Sequence, residues 1–154
     1  MTTAENDPSP PLSAPERETL ECVVRNMIPA SAEYGVPGAD DPRILADILQ
    51  SIDRDREALG KALRAIDGSA DRRLANLPEP EQARRLAAFR VASPDLAAVI
   101  ESVTARCYYR DDRVMASIGM EVRPPFPHGY EVEQGDWSLL EPVRARGRIY
   151  RDAG

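Results

Sequence analysis

Residues 41–68 read DPRILADILQSIDRDREALGKALRAIDG. Leu45, Leu49, Ile52, Leu59, Leu63 and Ile66 recur there at alternating steps of four and three, with a skipped turn at Arg56. That spacing marks one face of an α-helix. Asp41 is placed to cap the start, and Pro42 suits the first helical position, where its missing N–H costs nothing. Asp67-Gly68 ends the run. The pattern predicts one helix from Pro42 to about Ile66, on the order of 37 Å long at 1.5 Å per residue. As the longest element, it is expected to be the spine of the fold.

Helical signals continue on both sides. Ser13 and Glu16 form the sequence of a capping box, and Leu20, Val23, Val24 and Met27 follow on one stripe. Pro29 biases Ile28 away from helix and closes that element. Between Pro29 and Asp41 lies a loop with Gly35, Pro37 and Gly38. Downstream, a short helical piece is predicted over Asp71–Leu77, then a helix over Glu81–Val91 with Leu86, Ala87 and Phe89 as core candidates. Ser93-Pro94-Asp95 opens another helix, with Leu96, Val99, Ile100, Val103 and Cys107 on one face. Asp111 or Asp112 can cap a last short helix through Val114, Met115 and Ile118, ended by Gly119. No trustworthy run alternates at period two.

The expectation is an all-α fold, a compact bundle of about five helices over residues 13–120. A disordered arm over residues 1–12, with Pro8, Pro10 and Pro11, precedes it. Residues 121–154 hold four prolines and Gly129, Gly135 and Gly147, and read as an extended tail packed on the domain or on a partner.

Composition narrows the function classes. The net charge is −6, which argues against a nucleic-acid partner, since such a face must be concentrated in Lys and Arg. The cluster Arg144, Arg146, Arg148 and Arg151 lies beside Glu131, Glu133, Asp136 and Glu141, and reads as a solvated or salt-bridged tail. Two cysteines, Cys22 and Cys107, make neither a disulfide framework nor a metal site. No stretch approaches the roughly 18 apolar residues of a membrane span, and the start lacks the basic and apolar regions of a secretion signal. A cytoplasmic location is expected, without membrane insertion.

The search for chemistry fails in an informative way. There is no Gly-rich phosphate loop, no zinc-protease motif and no haem-attachment motif. With one histidine, His128, the usual nucleophile-plus-histidine arrangements have little to work with. The acidic pairs Asp40-Asp41 and Asp111-Asp112 each precede a helix, where capping explains them. Asp53, Asp55 and Glu57 spread round a helix and read as a solvated face. No catalytic, cofactor-binding or metal residue is assigned. What remains is aromatic: Tyr108, Tyr109, Phe126, Tyr130 and Trp137 lie at a helix end and in the tail. Two readings stand for them, a tail wrapping its own helices or aromatic anchors lying across a partner.

The same segments carry a family resemblance. A first helix runs into Met27-Ile28-Pro29, and Val36-Pro37-Gly38-Ala39 leads into the long helix. Next come Thr104 through Tyr108-Tyr109, Asp111-Asp112-Arg113-Val114, Ile118-Gly119-Met120 and the proline run into Gly129-Tyr130. In their order and spacing, over residues 17–130, they resemble the gluconate 2-dehydrogenase subunit 3 family, the small or gamma subunits of FAD-dependent sugar and polyol dehydrogenases. The resemblance implies an α-helical subunit docked on a large flavoprotein of the glucose-methanol-choline type. That large chain would hold FAD and oxidise a sugar, glycoside or polyol, and in several such systems a cytochrome accepts the electrons. Many members carry a twin-arginine export signal; this sequence shows none, which favours a cytoplasmic heterodimer. The residues expected to face the partner are Ile28, Pro29, Pro37, Tyr108, Tyr109, Phe126, Tyr130 and Trp137. The alternatives are a stand-alone helical adaptor or regulator, and an enzyme using Tyr108, Tyr109 or His128.

Overall fold

The computed structural model describes residues 11–68, 72–123, 129 and 135–147. The chain divides into two units, Met1–Val122 and Arg123–Gly154. The first holds α1 (Ala14–Met27), α2 (Pro42–Ser51), α3 (Arg56–Gly68), α4 (Glu79–Ala92), α5 (Pro94–Tyr108) and α6 (Asp112–Ser117). The second holds a 3-10 turn at Trp137–Leu140 running into α7 (Glu141–Ala145). Among the described residues there is no strand, only an isolated antiparallel bridge between Ser31 and Val36. The all-α expectation holds.

Local capping chemistry sets most boundaries. Ser13 and Glu16 form the reciprocal capping box at α1, and Ile28 is its C-cap. The carboxylates of Asp41 and Asp111 accept the backbone N–H of Arg43 and Arg113 at the starts of α2 and α6. Past α6 the chain turns through Gly119, whose φ of +74° favours a residue without Cβ.

The long helix expected over 42–66 is instead two. Ile52 leaves α2, a 3-10 turn over Asp53–Asp55 follows, and α3 starts at Arg56, the position where the apolar stripe skips. The break is answered from α5: Arg106 Nη2 lies 3.5 Å from the Ser51 carbonyl and 3.1 Å from Asp55 Oδ2. Groups released from the helical ladder thus find partners. The spine is not this region alone, since α5 packs against α2, α3 and α4 while α1 packs against α3.

The core gathers Leu20, Val23 and Val24 of α1, Leu59, Leu63 and Ile66 of α3, and Ile100, Val103 and Cys107 of α5. In α2 the deepest side chains are Ile44 and Ile48, while Leu45 and Leu49 of the expected stripe are only half-buried. The two sets are neighbours on one broad apolar face, and packing against α5 favours the isoleucine side. Leu12, placed by the sequence in the disordered arm, is buried at 5% exposure, and Pro11 beside it is exposed; residues 1–10 of that arm lie outside the described residues. Of the helical piece expected over Asp71–Leu77, Asp71 lies outside the described residues and the rest holds a 3-10 turn at Leu74–Asn76. It is tied to α3 and α1 through Asp67, which accepts Leu74 N at 2.9 Å and the Thr19 hydroxyl at 2.7 Å.

α4 is the loosest-packed long helix. Its one buried side chain is Gln82; Leu86 and Phe89 pack partly on the core, and Ala87 is exposed rather than central. The tail was expected to be extended, but residues 137–145 wind into helical turns opened by Asp136, whose carboxylate accepts Ser138 N at 2.9 Å.

Candidate partner-docking end of the helical unit

Three of the segments that carried the resemblance, the loop after α1, the end of α5 and the start of α6, lie far apart in sequence and meet in space. The loop after α1 closes on itself: Ser31 and Val36 exchange two backbone hydrogen bonds of 3.0 Å, and Ala39 N donates to Ile28 O at 2.9 Å. Gly38 lies in the crossing of that loop. A Cβ there would sit 2.9 Å from Ala30 N and 3.3 Å from Ile28 O, so the close approach of backbone to backbone requires glycine. Gly35, at φ +63°, turns the tip beside Tyr34.

The end of α5 grips this loop. Tyr108 is buried at 5% exposure and its hydroxyl donates to Pro37 O at 3.1 Å. Arg113, in the first turn of α6, makes paired hydrogen bonds to Asp41 (3.0 and 2.7 Å) and also to Asp111 (2.9 and 3.0 Å). One guanidinium therefore joins the capping carboxylates of two helices. Arg110 adds a second bidentate pair with Asp47, at 2.6 Å for both bonds.

The electrostatics are those of a clamp. Hydrogen bonds from Arg113 hold both Asp41 and Asp111 below the usual carboxylate range, and the same partners push Arg113 up. A general acid working near neutrality needs the opposite shift. Burial pushes the thiols of Cys22 and Cys107 up, which keeps them protonated and poorly nucleophilic. Both cysteines are free and buried. Among the described residues no group of three or more His, Cys, Asp or Glu side chains is placed to hold a metal ion, and no helix is long and apolar enough to cross a membrane.

Around the clamp, large apolar side chains face solvent. Tyr109 is 56% exposed, with its ring edge-on to Tyr108 at 5.3 Å. Tyr34 in the loop, and Ile118, Met120 and Val122 after α6, are also exposed. Of the residues expected at a partner face, Pro29 is exposed, Pro37 is half-buried, and Ile28 packs against the core. Tyr108 is a packing residue in this chain, which leaves Tyr109 as the ring available to a partner. Trp137 is 60% exposed in the second unit, where Leu139 and Val143 are exposed as well. Phe126, His128 and Tyr130 lie outside the described residues.

The sequence reading missed three things here. Arg113 as the joint between two caps had a signal, an Arg two residues after a capping Asp, but its second partner is 72 positions away. Ile118 was read as part of the last short helix, yet that helix stops at Ser117 and Ile118 is its exposed C-cap. Tyr34 stood alone among polar residues and gave no periodicity to read. Compared with protein-family models, curated proteins and solved structures, the chain matches none.

Proposed function

We propose that this chain is a non-catalytic small subunit that docks on and stabilises a large FAD-dependent oxidoreductase of the glucose-methanol-choline type, acting on a sugar, glycoside or polyol. The reading rests on the family resemblance. Its main structural support is the exposed ring of Tyr109, carried by an end of the bundle where the loop after α1 is clamped to the junction of α5 and α6. Exposed apolar groups on a pre-organised support are what a permanent interface uses, because little entropy is lost when the partner arrives. Arg110 and Arg113 are already paired there with Asp47, Asp41 and Asp111, which stiffens this end as a contact surface. FAD sits on the partner in this reading, and the small chain stabilises the folded large chain by binding it. In this reading the electrons pass from the large chain to a cytochrome or another acceptor, and the small chain's role is the same with either.

The test is co-purification from the native host with the tagged full chain. A large chain bearing flavin absorbance and oxidising a sugar or polyol is the expected result. Recovery of a flavin-free partner would turn the reading to an adaptor, and turnover by the lone chain would replace it with an enzyme.

A further inference from the structure

The second unit presents a surface of a different kind. Every described residue from 135 to 147 is exposed, although the segment winds into the 3-10 turn and α7. Trp137, Leu140 and Val143 follow one another at steps of three, which sets them along one side of such turns, and Leu139 beside them is 73% exposed. So short a helical stretch gains too little from its own hydrogen bonds to hold itself in water. Charge is segregated along the same stretch. Glu131, Glu133, Asp136 and Glu141 all precede Pro142, while Arg144, Arg146, Arg148 and Arg151 follow it with no carboxylate among them. At 3.6 residues per turn, Arg144 and Arg146 fall on opposite flanks of the apolar side. Arg144 meets Glu141 in an ion pair of 3.2 Å that is open to water, a weak contact that a phosphate can replace.

We propose that the segment opening at Trp137 lies in the plane of a bilayer surface rich in anionic phospholipid. An aromatic and aliphatic side flanked by guanidinium groups suits the boundary between headgroups and acyl chains. The apolar groups sit below the phosphates there, and the long Arg side chains reach up to them. Charge selects the lipid: a run of arginines free of carboxylates is drawn to anionic headgroups and gains little from a zwitterionic surface. The flanking arrangement also favours a lipid over the groove of a protein. A groove would need carboxylates fixed on both of its walls, whereas a layer of mobile headgroups meets both guanidinium groups at once. This inference stands on the second unit alone and is independent of the flavoprotein reading.

The test uses the full chain, with its one tryptophan as the probe. Phosphatidylglycerol vesicles should carry the chain down on sedimentation and move the Trp137 emission to the blue. Phosphatidylcholine vesicles and inorganic phosphate should do neither. Arg144→Gln combined with Arg146→Gln should weaken vesicle binding at least roughly tenfold, and Leu139→Ser combined with Val143→Ser should abolish the blue shift. Arg90→Gln, which removes an exposed arginine from α4, should leave binding unchanged. All five side chains are exposed, so these variants leave the fold intact. Equal binding to both kinds of vesicle, sedimentation without the blue shift, or no sedimentation at all would overturn the proposal. So would a loss on Arg90→Gln as large as that of the arginine pair.

Discussion

Arg113 reaches back 72 positions to hold the carboxylate of Asp41 with two hydrogen bonds, of 3.0 and 2.7 Å. It does so while its own helix is capped by Asp111, which it also grips. The starts of α2 and α6 are therefore fixed to one another through a single planar cation.

Arg113→Ala should destabilise the chain by about 1–2 kcal/mol, a value discounted because the guanidinium is 37% exposed. Arg113→Lys should recover less than half of that, because an ammonium cannot span two carboxylates with paired bonds. Urea unfolding of the three proteins checks both expectations. Equal stability of the Lys variant and the parent would refute the bidentate role.

The same joint sets an acid limit. Asp41 and Asp111 have folded pKa values below their unfolded ones. Their contribution is therefore complete above the ordinary carboxylate value and drains away as pH falls through the lower folded values. Stability should drop on acidification below about pH 4, and Arg113→Ala should flatten that part of the profile. Denaturant midpoints measured across this range give the answer.

Thr104 is fully buried in α5, and its hydroxyl has no hydrogen-bond partner among the described residues. Thr104→Val keeps the shape and removes the unpaired polar atom, so it should stabilise the chain by about 1 kcal/mol. A lowered melting temperature would show that the hydroxyl is in fact satisfied.

The two adjacent tyrosines should separate cleanly. Tyr109→Ala should leave the isolated chain's stability within about 0.5 kcal/mol and loosen the partner complex by about 2 kcal/mol. Tyr108→Phe should do the reverse, costing about 1 kcal/mol of stability through the lost bond to Pro37, with affinity little changed. Trp137→Ala tests the second unit in the same assay, with a loss of about 2 kcal/mol expected if the ring is an anchor.

Signals confined to a few neighbouring residues were legible. The Ser13–Glu16 box, the caps at Asp41 and Asp111, and the stop at Ile28-Pro29 all depend on groups within four positions of each other. The break after Ser51 was half legible: the stripe skips at Arg56, yet the partner that makes a break tolerable is Arg106 on another helix. Ala87 was read as a core contact beside Leu86, yet it is exposed, because how closely α1 and α5 approach α4 is not written in α4 itself. At the clamp, Asp41 was read as a cap and Asp111 as one of two candidates with Asp112, but nothing local to either could reveal that Asp41 and Asp111 share a cation.

The elbow between α2 and α3 also bears on folding order. Until α5 arrives, Arg106 cannot answer the Ser51 carbonyl or pair with Asp55, and the segment has no reason to prefer a bend to a straight rod. The bend is thus expected to form late, after the rate-limiting barrier. Removing the Arg106 side chain should leave refolding speed almost untouched and make the native molecule come apart faster.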